Sequence, residues 1–340
     1  MPSDAAQGGG GHGPVLVTGG AGFVGSHLVT RLLEAGERVT VIDDLTTGTI
    51  ENLPDHEGLE FSRGTVSEIL PGMASEGRTF SRVFHFAASV GVALVMDDPA
   101  AAIENNVHET AVTLRTLAAM GAPPTLIASS SEVYGKPEAE LFAEDDDSVY
   151  GPTTSARWSY AAGKALDEHL ALAHHNAGRL PVVIARLFNT VGPHQTGRYG
   201  MVLPRFVEAA MRGDDLPVHG DGSQSRCFCD ARDVAGGLHR LLTNTSSLGR
   251  VFNIGSDTPV TILELARMVI DTLGSNSGVR FVPYDEAFGP GFEDLKRRRP
   301  DLSRIRSAIG FEPAIALRQT ILDIAEDIRS REAGARERSA

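Results

Sequence analysis

Tyr160 and Lys164 have the residue types and the spacing needed to move a proton. They stand four positions apart in the segment RWSYAAGKALDEHLA. On a helix these two positions share a face, and a lysine one turn away favours the phenolate form of the tyrosine. The spacing predicts a lowered pKa for Tyr160 and a role for it as a general base toward a hydroxyl group. Because the same spacing arises by chance on helices, the prediction depends on where the pair lies in the fold.

Hydroxyl and carboxylate groups follow one another in Ser129, Ser130, Ser131 and Glu132, at the end of the run TLIAS. That run predicts a buried strand. Functional sites form at the carboxyl ends of parallel strands, where such groups can hydrogen-bond a reacting hydroxyl and relay its proton. The alternative is an ordinary serine-rich turn that caps the following helix.

A glycine turn near the start of the chain predicts a phosphate site. The apolar run 15–17 indicates a buried strand, and Gly19, Gly22 and Gly25 follow it at three-residue spacing before an amphipathic segment. Glycines allow a tight turn and close approach of a ligand, and a helix N-terminus presents free N–H groups. Strand, glycine turn and helix start are together typical of a pyrophosphate site.

Asp43 ends a second predicted strand, RVTVID. It lies about 20 residues beyond the glycines, where a carboxylate can accept a hydrogen bond from a ribose hydroxyl. An aspartate there favours NAD over NADP, because it repels a 2′-phosphate. The alternative is a strand-end aspartate that only caps a turn.

Further strands and helices alternate along the first half of the chain. Strands are predicted at 59–62, 82–88, 125–129 and 181–187, and long helices at 99–120 and 156–177. Alternation of this kind predicts an α/β fold with a doubly wound parallel (Rossmann) sheet. Helices then cover both faces, and ligands bind outside the carboxyl ends of the strands.

The sequence pattern changes after Asn189, where short segments alternate with loops rich in glycine, proline and charged residues. We expect a smaller C-terminal α+β lobe there that holds a substrate, with helices at 261–273 and 316–331. The predicted organisation is a disordered leader at 1–13, a nucleotide-binding domain at 14–188, a substrate lobe at 189–330 that returns to the sheet at 250–255, and a flexible tail at 331–340.

Composition excludes several classes of protein. The net charge of −13 argues against an electrostatic nucleic-acid binder. No apolar run approaches the ~18 residues of a membrane span, and the first residues lack the basic and apolar regions of a signal peptide. Cys227 and Cys229 are one residue apart, so we expect no disulfide and no metal site, and we expect a cytoplasmic protein.

These motifs together resemble the extended short-chain dehydrogenase/reductase superfamily of nucleotide-sugar epimerases, dehydratases and decarboxylases. The resemblance runs from about Gly13 to Ile328. The segments that carry it, besides the tyrosine–lysine pair, are TGGAGFVGSHL, VIDDLTTG, FHFAA, SSSEVYG, ARLFNTVGP, GDGSQSRCFCDARDV and RRRPDLSRI before IGFEP.

The resemblance implies positions for the cofactor, the catalytic groups and the substrate. The implied NAD site contains Gly19, Gly22, Phe23, Val24, Gly25, Asp43, Ala87, Ala88 and Asn106, with Tyr160 and Lys164 at its catalytic end. The implied catalytic triad is Ser130, Tyr160 and Lys164. The implied substrate residues are Asn189 and Arg226 at the phosphates, Val218 and His219 near the base, and an arginine of the run 297–299 at the phosphates or a sugar carboxylate. Within the run, Arg298 is expected to point inward while its neighbours are exposed.

The pair Ser131-Glu132 distinguishes members of this family. It is similar to UDP-glucuronic acid decarboxylases, whereas the 4,6-dehydratases carry Asp-Glu there, because loss of water needs an acid. We therefore expect NAD-dependent decarboxylation of UDP-glucuronic acid through oxidation at C4, giving UDP-4-keto-pentose or UDP-xylose. Glu132, Ser131 or an arginine is expected to help protonate C5.

Three alternatives stay open: a UDP-sugar 4-epimerase, a 4,6-dehydratase, and a non-catalytic NAD-binding regulator. Relatives commonly form homodimers through the helices equivalent to 99–120 and 156–177. The apolar residues of these helices permit a dimer, although core packing explains the same residues.

Overall fold

The computed structural model describes residues 13–88, 98–197, 201–284, 286 and 295–339. The predicted leader lies outside the described residues except for Gly13.

Seven parallel strands form the central sheet of the large domain. They are β1 (Val15–Thr18), β2 (Val39–Asp43), β3 (Leu59–Arg63), β4 (Arg82–His85), β5 (Thr125–Ser130), β6 (Val182–Leu187) and, after four short strands named below, β11 (Val251–Ile254). Their order across the sheet is β11-β6-β5-β4-β1-β2-β3, and every pair is parallel. The predicted doubly wound sheet is confirmed, including the late return of the chain as β11.

Helices cover both faces of this sheet. The helices of the chain are α1 (Phe23–Glu34), α2 (Val66–Ser75), α3 (Pro99–Ala119), α4 (Ser159–Asn176), α5 (Val202–Arg212), α6 (Ala231–Thr243), α7 (Ile262–Leu273), α8 (Ser303–Ile309) and α9 (Leu317–Ser339). In β1, Val17 joins a core with α1, α6 and α8, whereas its neighbour Leu16 joins the opposite core with α2, α3 and α4. Successive side chains of a strand point to opposite faces, so the continuous apolar strands follow from burial on both sides.

The smaller lobe has its own apolar core, made by α5, α7 and α9. Its short strands pair as β7 (Thr190–Val191) with β10 (Cys229–Asp230), β8 (Leu216–His219) with β13 (Val279–Val282), and β9 (Ser225–Cys227) with β12 (Pro259–Thr261). Helix α7 begins with a capping box, in which the Thr261 hydroxyl accepts from the Glu264 backbone N–H at 3.1 Å and the Glu264 carboxylate accepts from the Thr261 N–H at 2.9 Å.

Three predicted boundaries differ from the structure. The chain returns to the large domain more extensively than predicted, because α6 and α8 pack on the sheet beside β11. The helix predicted at 156–177 begins as a 3-10 turn, Ala156–Trp158, before α4. The segment predicted as a flexible tail is helical through Ser339, in keeping with its many arginine, glutamate and alanine residues, which favour helix.

Candidate active site

A cavity of about 990 Å³ lies at the carboxyl ends of β1, β2, β4, β5 and β6, and residues of the smaller lobe also line it. The strand order reverses between β1 and β4, and such switch points are where open parallel sheets bind ligands.

The glycine turn is shaped to admit a phosphate at the start of α1. Gly19 has a φ of +69°, and a Cβ on Gly25 would lie 2.2 Å from the Gly19 carbonyl oxygen, so neither position tolerates a side chain. Gly22 is the N-cap of α1, where no side chain caps the helix and no acidic residue occupies the first turn. The helix N-terminus therefore faces the cavity with donors and dipole available for an anion, which fits a dinucleotide pyrophosphate.

Asp43 connects this turn to the end of β2. Its two carboxylate oxygens accept backbone N–H groups from Ala21 at 2.9 Å and from Leu45 at 2.8 Å. Burial raises the pKa of Asp43, and these backbone hydrogen bonds oppose that rise. The carboxyl group also lines the cavity, so the turn-capping interpretation and the predicted ribose contact are compatible.

Ser130 is the serine whose hydroxyl meets Tyr160. It interacts with the phenol and favours its ionised form, and its oxygen accepts from the Glu132 backbone N–H at 3.2 Å. The Ser129 hydroxyl instead donates to Glu168 at 2.5 Å. Burial, together with the nearby Glu132 carboxylate, raises the pKa of Tyr160. The pKa of Tyr160 is therefore shifted in the direction opposite to the one that its spacing from Lys164 predicted.

Lys164 is engaged elsewhere. Its ammonium group donates to Asp167 Oδ2 at 3.2 Å and to the Ala128 carbonyl at 3.3 Å. Both side chains are nearly fully buried. Burial raises the pKa of Asp167, and Lys164 opposes that rise. Asp167 thus holds Lys164 at the cavity wall.

Glu132 bridges two arginines at the catalytic end of the cavity. Its Oε2 lies 2.7 Å from Arg157 Nη1, and its Oε1 lies 2.7 Å from Arg298 Nη2. Burial alone would raise the pKa of Glu132, but Arg298 and Arg157 outweigh it and lower the pKa to about 2. The carboxylate is therefore ionised, so the expectation that Glu132 helps protonate C5 is not supported by its charge state.

Backbone hydrogen bonds hold Arg298 in place. The Phe142 N–H donates to the Arg299 carbonyl and the Asp301 N–H donates to the Phe142 carbonyl, both at 2.9 Å. Arg298 is 8% exposed, whereas Arg297 is exposed and pairs with Glu140. The predicted inward position of Arg298, with exposed neighbours, is confirmed.

Most of the predicted site residues line the same cavity. They are Gly19, Gly22, Phe23, Val24, Gly25, Asp43, Ala87, Ala88, Ser130, Ser131, Glu132, Tyr160, Lys164, Asn189, His219, Arg226 and Arg298.

Two predicted residues do not line the cavity. Asn106 is buried within α3, and its neighbour Asn105 lines the cavity instead, because one helical step changes the face. Val218 is fully buried in the lobe core, whereas Pro217 and His219 face the cavity, as alternation along β8 requires.

Three buried donors along this cavity have no hydrogen-bond partner among the described residues: Asn189 Nδ2, Arg157 Nε and Arg298 Nε. Buried donors are rarely left unpaired. Together with the uncapped helix start, they fit a ligand that carries several anionic oxygens.

Sequence reasoning missed Arg157 and Asp167. Arg157 stands three residues before Tyr160, and Asp167 stands three residues after Lys164. Lys164 and Asp167 lie three apart on α4 and therefore share a helical face, so a signal for Asp167 was present. Nothing in the sequence alone joined Arg157 to Glu132.

Other classes of site find no support in the described ranges. The helices placed by the structure include none long and apolar enough to cross a membrane. Within the same residues, no three metal-ligating side chains cluster. Cys227 and Cys229 are buried free thiols, and burial raises the pKa of each.

Comparison with known proteins finds the same family along most of the chain. Residues 15–255 match the model of the NAD dependent epimerase/dehydratase family. A UDP-N-acetyl-alpha-D-glucosaminuronate decarboxylase of Bacillus cytotoxicus is 36% identical, over 89% of this chain and 94% of that protein. UDP-glucuronic acid decarboxylase 4 of Arabidopsis thaliana is also 36% identical, over 93% of this chain and 69% of that protein.

A solved structure supports the fold and the cofactor site. The UDP-glucose 4-epimerase of Thermus thermophilus, determined in complex with NAD, superposes with a TM-score of 0.81 at 29% identity. The match covers 93% of this chain and 99% of that protein.

Proposed function

We propose that the chain, which belongs to the NAD dependent epimerase/dehydratase family, decarboxylates UDP-glucuronic acid. The observation that carries the proposal is the buried Arg157–Glu132–Arg298 cluster beside Tyr160. It provides cations for a sugar carboxylate where the hydroxyl chemistry takes place. The similarity to decarboxylases of two UDP-uronates supports the same conclusion.

The glycine turn and Asp43 would hold NAD at the pyrophosphate and the adenosine ribose. Tyr160 and Lys164 would border its catalytic end. When bound in its oxidised form, the cofactor supplies an acceptor for the C4 hydride and a positive charge that favours the phenolate of Tyr160.

Tyr160 takes the proton from the sugar O4, and the neighbouring Ser130 favours the ionised form of the phenol. Oxidation at C4 makes the sugar a β-keto acid. The C5–C6 bond can then break with its electron pair entering the C4 carbonyl, so that carbon dioxide leaves and an enolate remains. Protonation at C5 gives the 4-keto pentose, which is released or is reduced at C4 to UDP-xylose.

Substrate contacts follow from the residues at the other side of the cavity. Asn189 offers an unpaired buried amide donor to a diphosphate oxygen. Arg226 and His219 reach the cavity from β9 and β8 of the lobe. Arg298 meets the sugar carboxylate.

Product analysis tests this function. The purified protein is incubated with NAD and either UDP-glucuronic acid or UDP-glucose, and products are identified by mass. We expect carbon dioxide and a UDP-pentose or keto-pentose from the uronate only. UDP-galactose without gas release would instead support the 4-epimerase, and a 4-keto-6-deoxy product would support the dehydratase.

A second uronate is a specific alternative substrate. The relative from Bacillus cytotoxicus is named for UDP-N-acetyl-alpha-D-glucosaminuronate, at the same identity as the plant relative. Including that sugar in the panel decides between a C2 hydroxyl and a C2 acetamido group. The enzyme class is unchanged in either case.

We further propose a cytoplasmic homodimer. The free buried thiols suit a reducing compartment. Leu166 on α4 is 50% exposed and Ile103 on α3 is 39% exposed, and these two helices pack side by side. Leu114 and Leu117 of α3 are fully buried in the core and take no part in this interface.

A further inference from the structure

The cluster around Glu132 contains more positive than negative charge. Two guanidinium groups form ion pairs with one carboxylate, each with a closest N···O distance of 2.7 Å. The three side chains are only 9–13% exposed. An uncompensated charge is costly where water is largely excluded, so the excess positive charge of this cluster favours an anion in the cavity.

Contacts with neighbouring groups also position Arg157. Its guanidinium lies 5.1 Å from the centroid of the Trp158 ring, a cation–π distance, and the backbone there forms the 3-10 turn that leads into α4. Both arginines line the cavity, and each keeps a buried Nε with no partner among the described residues. Glu132 uses one nitrogen of each, which leaves other donors for a ligand.

We propose that Arg157 is a second specificity-determining residue for the sugar carboxylate and binds it jointly with Arg298. Glu132 holds both guanidinium groups toward the cavity. The carboxylate of a uronate brings the charge of the cluster to zero and pairs the remaining donors. The neutral hydroxymethyl group of a hexose does neither, so the cluster selects a uronate over the matching hexose.

This inference rests on the proposed function for its choice of ligand, but its test measures binding alone. The test uses protein saturated with NAD in which Tyr160→Phe blocks turnover. Calorimetry gives the Kd of UDP-glucuronic acid and of UDP-glucose, and the ratio of the two is the uronate preference. The variants compared are Arg157→Gln, Arg157→Lys and, as a matched control, Arg297→Gln, which removes an exposed arginine of the same run.

We expect Arg157→Gln to lower the uronate preference by about 10- to 100-fold, because a charge-assisted hydrogen bond and one positive charge are lost. The Kd of UDP-glucose should stay within about threefold. Arg157→Lys should keep most of the preference because it keeps the charge. Arg297→Gln should change neither constant. Arg157→Gln should also weaken the binding of UDP-N-acetylglucosaminuronate, because this ligand carries the same negative charge at C6 as UDP-glucuronic acid.

An unchanged preference in Arg157→Gln overturns the inference, as does an equal loss for both ligands, which would indicate a structural role. If Arg157→Gln fails to fold, a loss of preference in Arg157→Lys as large as that expected for glutamine overturns it. Wild-type protein that releases no carbon dioxide, while the preference still depends on Arg157, overturns the proposed function only.

Discussion

Tyr160 lies buried beside the anionic Glu132, and both burial and this carboxylate raise the pKa of its phenol. It lines the cavity next to Ser130, where its ionised form can accept a proton from a bound sugar hydroxyl. Tyr160→Phe removes that acceptor and should lower kcat by about 10²- to 10⁴-fold. The effect is measured as the rate at which carbon dioxide is released from UDP-glucuronic acid.

The affinity for UDP-glucuronic acid should stay within a few-fold in the same variant, because the arginines and Asn189 are untouched. A variant that retains full turnover would show that another group takes the proton.

Glu132 contributes stability that depends on pH. Its pKa is lowered from 4.5 to about 2 in the folded protein, so its contribution is full above pH 4.5 and is lost as the pH falls toward 2. By linkage this amounts to about 3 kcal/mol at neutral pH and roughly half of that at pH 3. Glu132→Gln should therefore destabilise the protein at pH 7, and the difference from wild type should narrow toward pH 3.

Urea unfolding of both proteins between pH 7 and pH 3 gives the two free energies. Glu140→Gln is the matched control, because Glu140 pairs with Arg297 at the surface and such pairs contribute about 0–1 kcal/mol. If the free energies of unfolding of wild type and Glu132→Gln differ by the same amount at pH 7 and at pH 3, the pKa of Glu132 is not lowered in the folded protein.

Spacing along the sequence predicted which residues meet, but it did not predict their charge states. The separation of Tyr160 and Lys164 brings both to the cavity. Asp167, on the same helix, is the group that Lys164 binds. The contact of Arg298 with Glu132 joins residues far apart in the chain, and only the folded lobe brings them together.

The glycine turn between β1 and α1 combines tight backbone packing with an open phosphate site. A Cβ on Gly25 would lie 2.2 Å from the backbone oxygen of Gly19, and backbone atoms cannot move aside cheaply. Gly25→Ala should therefore distort the turn and weaken NAD binding by at least about 10-fold, with a loss of stability of about 1–3 kcal/mol. NAD titration and thermal unfolding measure the two effects.

Gly72 is the matched control, because it lies exposed within α2 and a Cβ there meets nothing within 4 Å. Gly72→Ala should leave NAD binding unchanged and raise stability by about 0.5–1 kcal/mol, since alanine favours helix over glycine. Equal NAD affinity in the two variants would show that the glycine turn does not form the pyrophosphate site.

Elements with strong local signals were predicted well. The strands of the parallel sheet are continuous apolar runs, and the start of α7 has a threonine cap, so both are visible locally. The side-chain directions of Asn106 and Val218 were not predicted correctly. The family resemblance indicates which position lies near a ligand, but it does not indicate which way the side chain at that position points. The return of α6 to the sheet depends on packing against α1, which no local pattern encodes.

At the scale of the molecule, the cavity depends on both lobes. The large domain supplies the glycine turn, Asp43 and Tyr160, whereas the smaller lobe supplies His219 and Arg226. The segment of Arg298 is tied to Phe142 by backbone hydrogen bonds, so it joins the lobe to the large domain. The sequence predicted that the nucleotide-binding domain precedes the smaller lobe. It did not predict the backbone hydrogen bonds between Phe142 and the segment of Arg298, because nothing in either local sequence indicates the other.

The proposed homodimer makes a prediction about mass. Leu166 and Ile103 are large apolar side chains left exposed on adjacent helices, and a second copy of the chain would remove them from water. The wild-type protein should sediment at twice 36.1 kDa. Leu166→Glu would place a charge in that interface and should raise the dimer dissociation constant by at least about 100-fold.

Leu322→Glu, at a similarly exposed leucine on α9, should leave the dimer intact. A monomeric wild type, or a Leu166→Glu variant that remains dimeric at micromolar concentration, would place any interface elsewhere.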